Sequence, residues 1–156
     1  MTLPAIGSPA PDFTLPRDGG GTISLAAHRG RHVVLYFYPK DDTSGCTVEA
    51  IDFTARAADF EAAGATIIGM SPDPVKAHDK FIKKHNLGIA LASDEDKSTL
   101  EAYGVWVEKS MYGRRYMGVE RTTILIAPDG TIARIWEKVK VPGHVEEVLA
   151  AVKAAG

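Results

Sequence analysis

The sequence predicts an α/β fold in which a mixed central sheet carries helices on both faces. Three observations lead there. Apolar, β-branched runs alternate along the chain with segments whose apolar residues recur at offsets of three and four, the marks of strands and of amphipathic helices. Near the carboxyl end, Thr122 to Ala127 and Thr131 to Trp136 flank the turn Pro128-Asp129-Gly130 and read as an antiparallel hairpin. At 156 residues and 45% hydrophobic, the chain can bury one sizeable core and has no room for two ordinary domains, so residues 1–156 read as a single domain.

Taken in order, an amino-terminal extended region turns at Asp18-Gly19-Gly20-Gly21. A strand follows at about 32–38, where Val33 to Tyr38 is continuously apolar and aromatic, the pattern of a strand buried on both faces. Thr43, Ser44 and Gly45 supply helix-start chemistry, and Ala50, Phe53, Ala57 and Phe60 then trace one stripe of a helix over about 45–63. The pattern continues with a strand at about 65–70, a helix near 74–86, a short strand near 89–92 and a short helix near 96–103. After the hairpin, a helix closes the chain from about 143 to 154. Alternating elements that end in a hairpin give a mixed sheet covered on both sides. No internal repeat, low-complexity segment or linker interrupts them.

The only cysteine, Cys46, falls where the first long strand gives way to a helix. In the first turn of a helix, free backbone N–H groups and the positive end of the macrodipole favour a thiolate over a thiol. An unpaired cysteine also serves as a small buried hydrophobe. Such a residue would more naturally join the stripe of Ala50, Phe53 and Ala57, whereas Cys46 follows a glycine at the exit from a polar loop. Its position therefore marks a reactive thiol.

Composition narrows the alternatives. A net charge of -2 gives no electrostatic reason to expect nucleic acid or an anionic membrane as partner. Lys80, Lys83 and Lys84, beside Asp79 and His85, read as a solvated helix face. No stretch approaches the roughly 20 apolar residues of a membrane-spanning helix. The amino terminus lacks the basic start and apolar core of a secretory signal, and a single cysteine excludes a disulfide scaffold within the monomer, so a cytoplasmic location is expected. His78 and His85 are seven apart without a metalloprotease pattern and read as surface histidines. The glycine turn at 19–21 lacks the lysine of a phosphate loop, and Trp106, Tyr112 and Tyr116 read as core or rim.

The spacing Pro39-x-x-x-Thr43-x-x-Cys46 resembles the active-site signature of the peroxiredoxins. The wider stretch from Phe37 to Phe53 is similar to their bacterioferritin comigratory protein, or peroxiredoxin Q, subfamily. The likeness runs nearly end to end. Gly7-Ser8-Pro9-Ala10-Pro11-Asp12-Phe13 looks like the family's opening segment, Tyr103-Gly104-Val105-Trp106 like its mid-domain segment, and Val119-Glu120-Arg121-Thr122-Thr123 like the strand that carries its active-site arginine. Several separated motifs in the right order are far more specific than one short pattern. The resemblance implies a thioredoxin-like fold and a thiol-dependent peroxidase that reduces hydrogen peroxide or organic hydroperoxides through a sulfenic acid on Cys46, with no cofactor or metal.

Peroxide cleavage needs a sulfur nucleophile and fixed donors for the departing oxygen. Backbone N–H groups around Gly45 and Cys46 can supply some, and the Thr43 hydroxyl can both accept and donate, although Thr43 also suits a plain N-cap. Pro39 serves equally as a strand terminator or as a ring narrowing the loop over the sulfur. From the residues alone, Arg114, Arg115 and Arg121 compete as the guanidinium; the resemblance implies Arg121.

Two positions depart from the commoner pattern. Many relatives carry proline after the threonine and a second cysteine five residues past the first, where this chain has Ser44 and Ile51. Ile51 is expected to bury beside the Ala50–Phe53 stripe. Without a second cysteine, the sulfenic acid must meet an external thiol or a second Cys46, or oxidise further. The expected partners are thus a peroxide and an external thiol reductant (thioredoxin, glutaredoxin or glutathione), with the chain a monomer or weak homodimer. Two other readings stand beside this one: a thiol-disulfide oxidoreductase, disfavoured by the missing Cys-x-x-Cys pair, and a peroxide-sensing or chaperone-like module without multiple turnover.

Overall fold

In the computed structural model, which describes residues 3–155, the chain opens with a small antiparallel hairpin of β1 (Thr14–Pro16) and β2 (Thr22–Ser24) around the expected glycine turn. Gly19, Gly20 and Gly21 all take positive φ there, a conformation that side chains with a Cβ resist. Beyond a short 3-10 turn, β3 (His32–Phe37) leads through a loop to α1 (Ser44–Ala55) and α2 (Ala57–Ala62). Then come β4 (Ala65–Ser71), α3 (Val75–His85), β5 (Ala90–Ser93) and α4 (Ser98–Ala102). The last third adds β6 (Trp106–Met111), β7 (Arg114–Val119), β8 (Thr122–Ile126), β9 (Ile132–Trp136) and α5 (His144–Ala155).

The main sheet has the order β5-β4-β3-β8-β9, with β3, β4 and β5 parallel and β8 and β9 antiparallel. This is the mixed sheet of a thioredoxin-like fold. β3 lies at its centre and both of its faces are buried, which explains its unbroken apolar run. Val34, Tyr36 and Tyr38 point to one core with Phe53 of α1, Phe60 of α2, Phe81 of α3 and Val148 of α5. Val33, Leu35 and Phe37 point to the other, closed by Leu100 of α4, Tyr103 and the amino-terminal residues Ala10, Phe13 and Ile23. Helices thus stand on both faces, with four on the first and the short α4 on the second.

The structure departs from the sequence reading in two places. The helix read over 45–63 breaks at Arg56, whose φ of -108° and ψ of 6° leave the helical region. Periodicity is blind to the break because Phe53 and Phe60 stay in the same core across it. The segment 106–119 carried no strand expectation, yet it forms the hairpin β6–β7 about Tyr112 and Gly113, both at positive φ. Much of this hairpin is exposed, so no apolar face imposes the alternation by which a strand is recognised.

Candidate active site

The sheet register decides which residues meet. Phe37, the last residue of β3, pairs with Thr122, the first residue of β8. The loop from β3 to α1 therefore departs beside the start of β8, where Arg121 stands. Cys46 is the third residue of α1, and the Thr47 amide donates to the Thr43 carbonyl at 2.8 Å to open the helical register. The amides of Ser44, Gly45 and Cys46 belong to the first turn, where N–H groups lack partners within the helix. A Cβ built on Gly45 would stand 3.2 Å from Nη2 of Arg121, so the small residue before the cysteine makes room for the guanidinium.

Arg121 spans two acids on α1. Its Nη2 donates to Sγ of Cys46 at 3.3 Å, and its Nη1 donates to Oε1 of Glu49 at 2.6 Å. Cys46 is 1% exposed and Glu49 is fully buried. Burial raises the Glu49 carboxyl to about 7; Arg121 opposes the rise and Asp52 adds to it. Burial also disfavours the Arg121 cation, but Glu49 and Cys46 outweigh it and leave the guanidinium more firmly protonated than usual. Lys109 of β6 faces the same cluster: burial lowers its ammonium and Arg121 adds to the fall, against the pull of Glu120 and Cys46.

The loop carrying these residues is held from α3 by a buried network. The Tyr38 hydroxyl donates to Oδ1 of Asp41 at 2.5 Å, while Nδ1 of His78 lies 2.6 Å from Oδ2. The other ring nitrogen of His78 is 3.0 Å from the Ala92 carbonyl oxygen. Burial disfavours the imidazolium, but Asp41 more than compensates and His78 titrates above its ordinary value. His78 is therefore no surface residue, contrary to the expectation from its spacing. Asp42, at positive φ, binds Lys84 at 2.7 Å and Nε2 of His85 at 2.8 Å, adding a second clamp from the same helix.

The other expected site residues are placed as follows. Thr43 is exposed, and its hydroxyl donates to the Lys40 carbonyl at 2.9 Å. Its hydrogen is thereby engaged, so the hydroxyl is left to accept rather than both to accept and to donate. Pro39 is half-buried where the chain leaves β3. Arg114 and Arg115 are exposed on β7, and Arg115 pairs with Glu108, so neither shares the position of Arg121. Ile51 is 43% exposed and does not bury beside Phe53, because it points away from the stripe. Glu49 was missed by sequence reasoning; its signal is an acid three residues past the cysteine, next to the apolar stripe at Ala50. No group of three or more His, Cys, Asp or Glu that could hold a metal occurs among the described residues, and none of their helices is long and apolar enough to cross a membrane.

Comparison with known proteins places the chain among related sequences and structures. Residues 6–135 match the AhpC/TSA family. The chain is 47% identical over 156 residues to Peroxiredoxin Bcp of Xanthomonas campestris pv. campestris, covering 99% of this chain and 98% of that one. A structure of the Xylella fastidiosa PrxQ mutant superimposes with a TM-score of 0.94 at 38% identity, covering 99% of both chains. Structures addressing the alkyl peroxide reduction activity of the Xanthomonas campestris bacterioferritin comigratory protein align with a TM-score of 0.88 at 46% identity, over 92% of this chain and 91% of that one.

Proposed function

The chain belongs to the AhpC/TSA family, and we propose that it is a thiol-dependent peroxidase in which Cys46 attacks hydrogen peroxide or an organic hydroperoxide. The observation that carries this reading is the Arg121 guanidinium at 3.3 Å from a sulfur in the first turn of α1. The thiolate gives its electron pair to one peroxide oxygen, the O–O bond breaks, and the other oxygen leaves with the bonding pair and gains a proton to become water or an alcohol. Arg121 and the free amides of the first turn face the charge that moves from sulfur to the departing oxygen. Thr43, its own hydrogen held by Lys40, accepts from the O–H of the incoming hydroperoxide. Pro39 closes the loop side of the site.

The sulfenic acid that forms on Cys46 meets an external thiol, because no other cysteine exists in the chain. With Cys46 almost wholly buried, the start of α1 must move before a protein thiol reaches the sulfur, whereas a small thiol needs less opening. Peroxide consumption measured in parallel with glutathione, glutaredoxin and thioredoxin systems tests the reading. Sustained turnover with at least one of them is expected. Consumption that halts after about one equivalent per thiol in all three would assign the protein to sensing instead.

A further inference from the structure

Glu49 presents an arrangement that the peroxide step above does not use. It is fully buried one turn along α1 from Cys46, and only one of its oxygens is engaged, by Nη1 of Arg121. Oε2 has no hydrogen-bond partner among the described residues. A buried carboxylate with a bare oxygen is costly, and a protonated one much less so. The two acids, Cys46 and Glu49, share one guanidinium: Nη2 lies 3.3 Å from the sulfur and Nη1 lies 2.6 Å from the carboxyl. One buried cation can balance one buried anion, so ionising both acids leaves a surplus negative charge in a region sealed from water.

We propose that Glu49 is the proton store of the peroxide step, keeping its proton while Cys46 is a thiolate and releasing it as the sulfur becomes a sulfenic acid. The inference rests on the peroxidase reading. Before the step the cluster holds a thiolate, a carboxylic acid and a guanidinium; afterwards it holds a neutral sulfenic acid, a carboxylate and the same guanidinium. Its net charge is zero in both states. Written in full, Cys46–S⁻ + R′OOH + Glu49–COOH gives Cys46–SOH + R′OH + Glu49–COO⁻. The sulfur–oxygen bond forms from the sulfur electron pair and the O–O bond breaks toward R′O. Sulfur is oxidised and the peroxide is reduced by two electrons. The proton that completes R′OH equals the one Glu49 loses, and its return recharges the site when an external thiol restores the thiolate.

The surrounding groups are compatible with that exchange. Asp52, on the same helix, keeps negative charge near Glu49 and so favours its protonated form. Tyr36 of β3 stays a neutral phenol, since burial and the nearby Glu49 both oppose its ionisation. His144 at the start of α5 is pushed down by burial, against the pull of Glu147 and with the help of Arg121, which favours its neutral form, and its Nε2 is 2.8 Å from the Thr123 hydroxyl. Lys109 of β6 faces Arg121 and Cys46 and is the other cation near the cluster.

The test uses the full chain with its glutamates labelled by ¹³C at the side-chain carboxyl. One equivalent of hydrogen peroxide is added near neutral pH, and the oxidised-minus-reduced infrared difference spectrum is recorded while mass spectrometry reports the oxygen gained by Cys46. The expected spectrum shows loss of a protonated carboxyl band that moves with the label, absent from Glu49→Gln. In unbuffered solution at about pH 6, below the Glu49 value of about 7, with an indicator dye and with thiolate confirmed by its ultraviolet absorbance, the parent should take up well under half a proton per Cys46 oxidised. Glu49→Gln should take up about one, the stoichiometry of a thiolate that must draw its proton from water. Should the labelled band stay unchanged while Cys46 gains oxygen, or the parent take up about one proton, the proposal is overturned; the labelled parent suffices even if the variant does not fold. A parent whose Cys46 gains no oxygen overturns the peroxidase reading instead, and the proposal with it.

Discussion

Nη2 of Arg121 lies 3.3 Å from Sγ of Cys46, although the two residues are 75 positions apart in sequence. The pairing of Phe37 with Thr122 brings them together, so the contact is built into the central strands rather than into a mobile loop. Removal of the guanidinium by Arg121→Ala should slow peroxide attack by roughly 10²–10³, the scale for one lost transition-state donor. It should also slow iodoacetamide labelling of Cys46 at neutral pH, because the cation 3.3 Å from the sulfur is gone. Arg121→Lys should recover only part of the rate, since an ammonium cannot span both Cys46 and Glu49 as the fork does. Unchanged rates and labelling in Arg121→Ala would remove Arg121 from the site.

Glu49 makes stability depend on pH in a definite direction. Its folded value of about 7 stands above the ordinary 4.5, so between those limits the native state binds more protons than the unfolded one. Stability contributed by this group therefore falls as pH rises from about 4.5 to about 7, by as much as about 3 kcal/mol. Glu49→Gln, which has no proton to lose, should flatten that part of the curve. Urea unfolding of parent and variant across this range checks it, and parallel curves would contradict the burial argument.

His78 should act in the same sense at higher pH. Its folded value is raised above 6.5, so its stabilising contribution is fully present below that pH and is lost as pH climbs through the folded value. His78→Leu leaves Asp41 buried without its charged partner and should destabilise the fold by about 3–5 kcal/mol. Thermal unfolding at pH 6 and at pH 9 should show a smaller deficit for the variant at the higher pH. An equal deficit at both would mean that His78 acts by packing alone.

Much of the fold could be read from the chain, and the exceptions share a cause. β3 announces itself because both its faces are buried, and Cys46 because it follows a glycine at the exit from a polar loop; the expectation that it lies off the apolar stripe is corrected, since four- and three-residue steps put Cys46 in one buried cluster with Ala50 and Phe53. Arg121 could not be told from Arg114 and Arg115 by composition, since its role follows from strand register, a long-range property. Glu49 escaped notice and His78 was read as a surface residue because a charged residue on a helix is ordinarily solvated, and only the pairings to Arg121 and Asp41 make their burial tolerable. The break at Arg56 is anchored by its guanidinium on Glu146 at 2.7 Å and 2.8 Å, a contact that local periodicity does not encode.

Position 51 offers a test of how α1 opens. Five residues along an intact helix advance about 7.5 Å, beyond the Cα separation of about 7 Å that a disulfide tolerates. Ile51 is on the exposed side of α1, so Ile51→Cys should be accepted without loss of core packing. After peroxide treatment the variant should form an intramolecular disulfide with loss of helical circular dichroism, and should gain activity with thioredoxin. The parent should keep its helix under the same mild oxidation. Only sulfenic or sulfinic acid on Cys46 of the variant would show that the first turns of α1 do not unwind.

The central claim is that peroxide reduction passes through the Cys46 sulfur. Its most direct test is rapid-mixing measurement of hydrogen peroxide consumption by the parent and by Cys46→Ser, with mass spectrometry of the quenched parent. Serine is nearly isosteric and a far weaker nucleophile at neutral pH. The parent should consume about one equivalent in the absence of thiol while Cys46 gains one oxygen, and the folded variant should consume none above the uncatalysed rate. Rapid consumption by the folded serine variant would contradict the account.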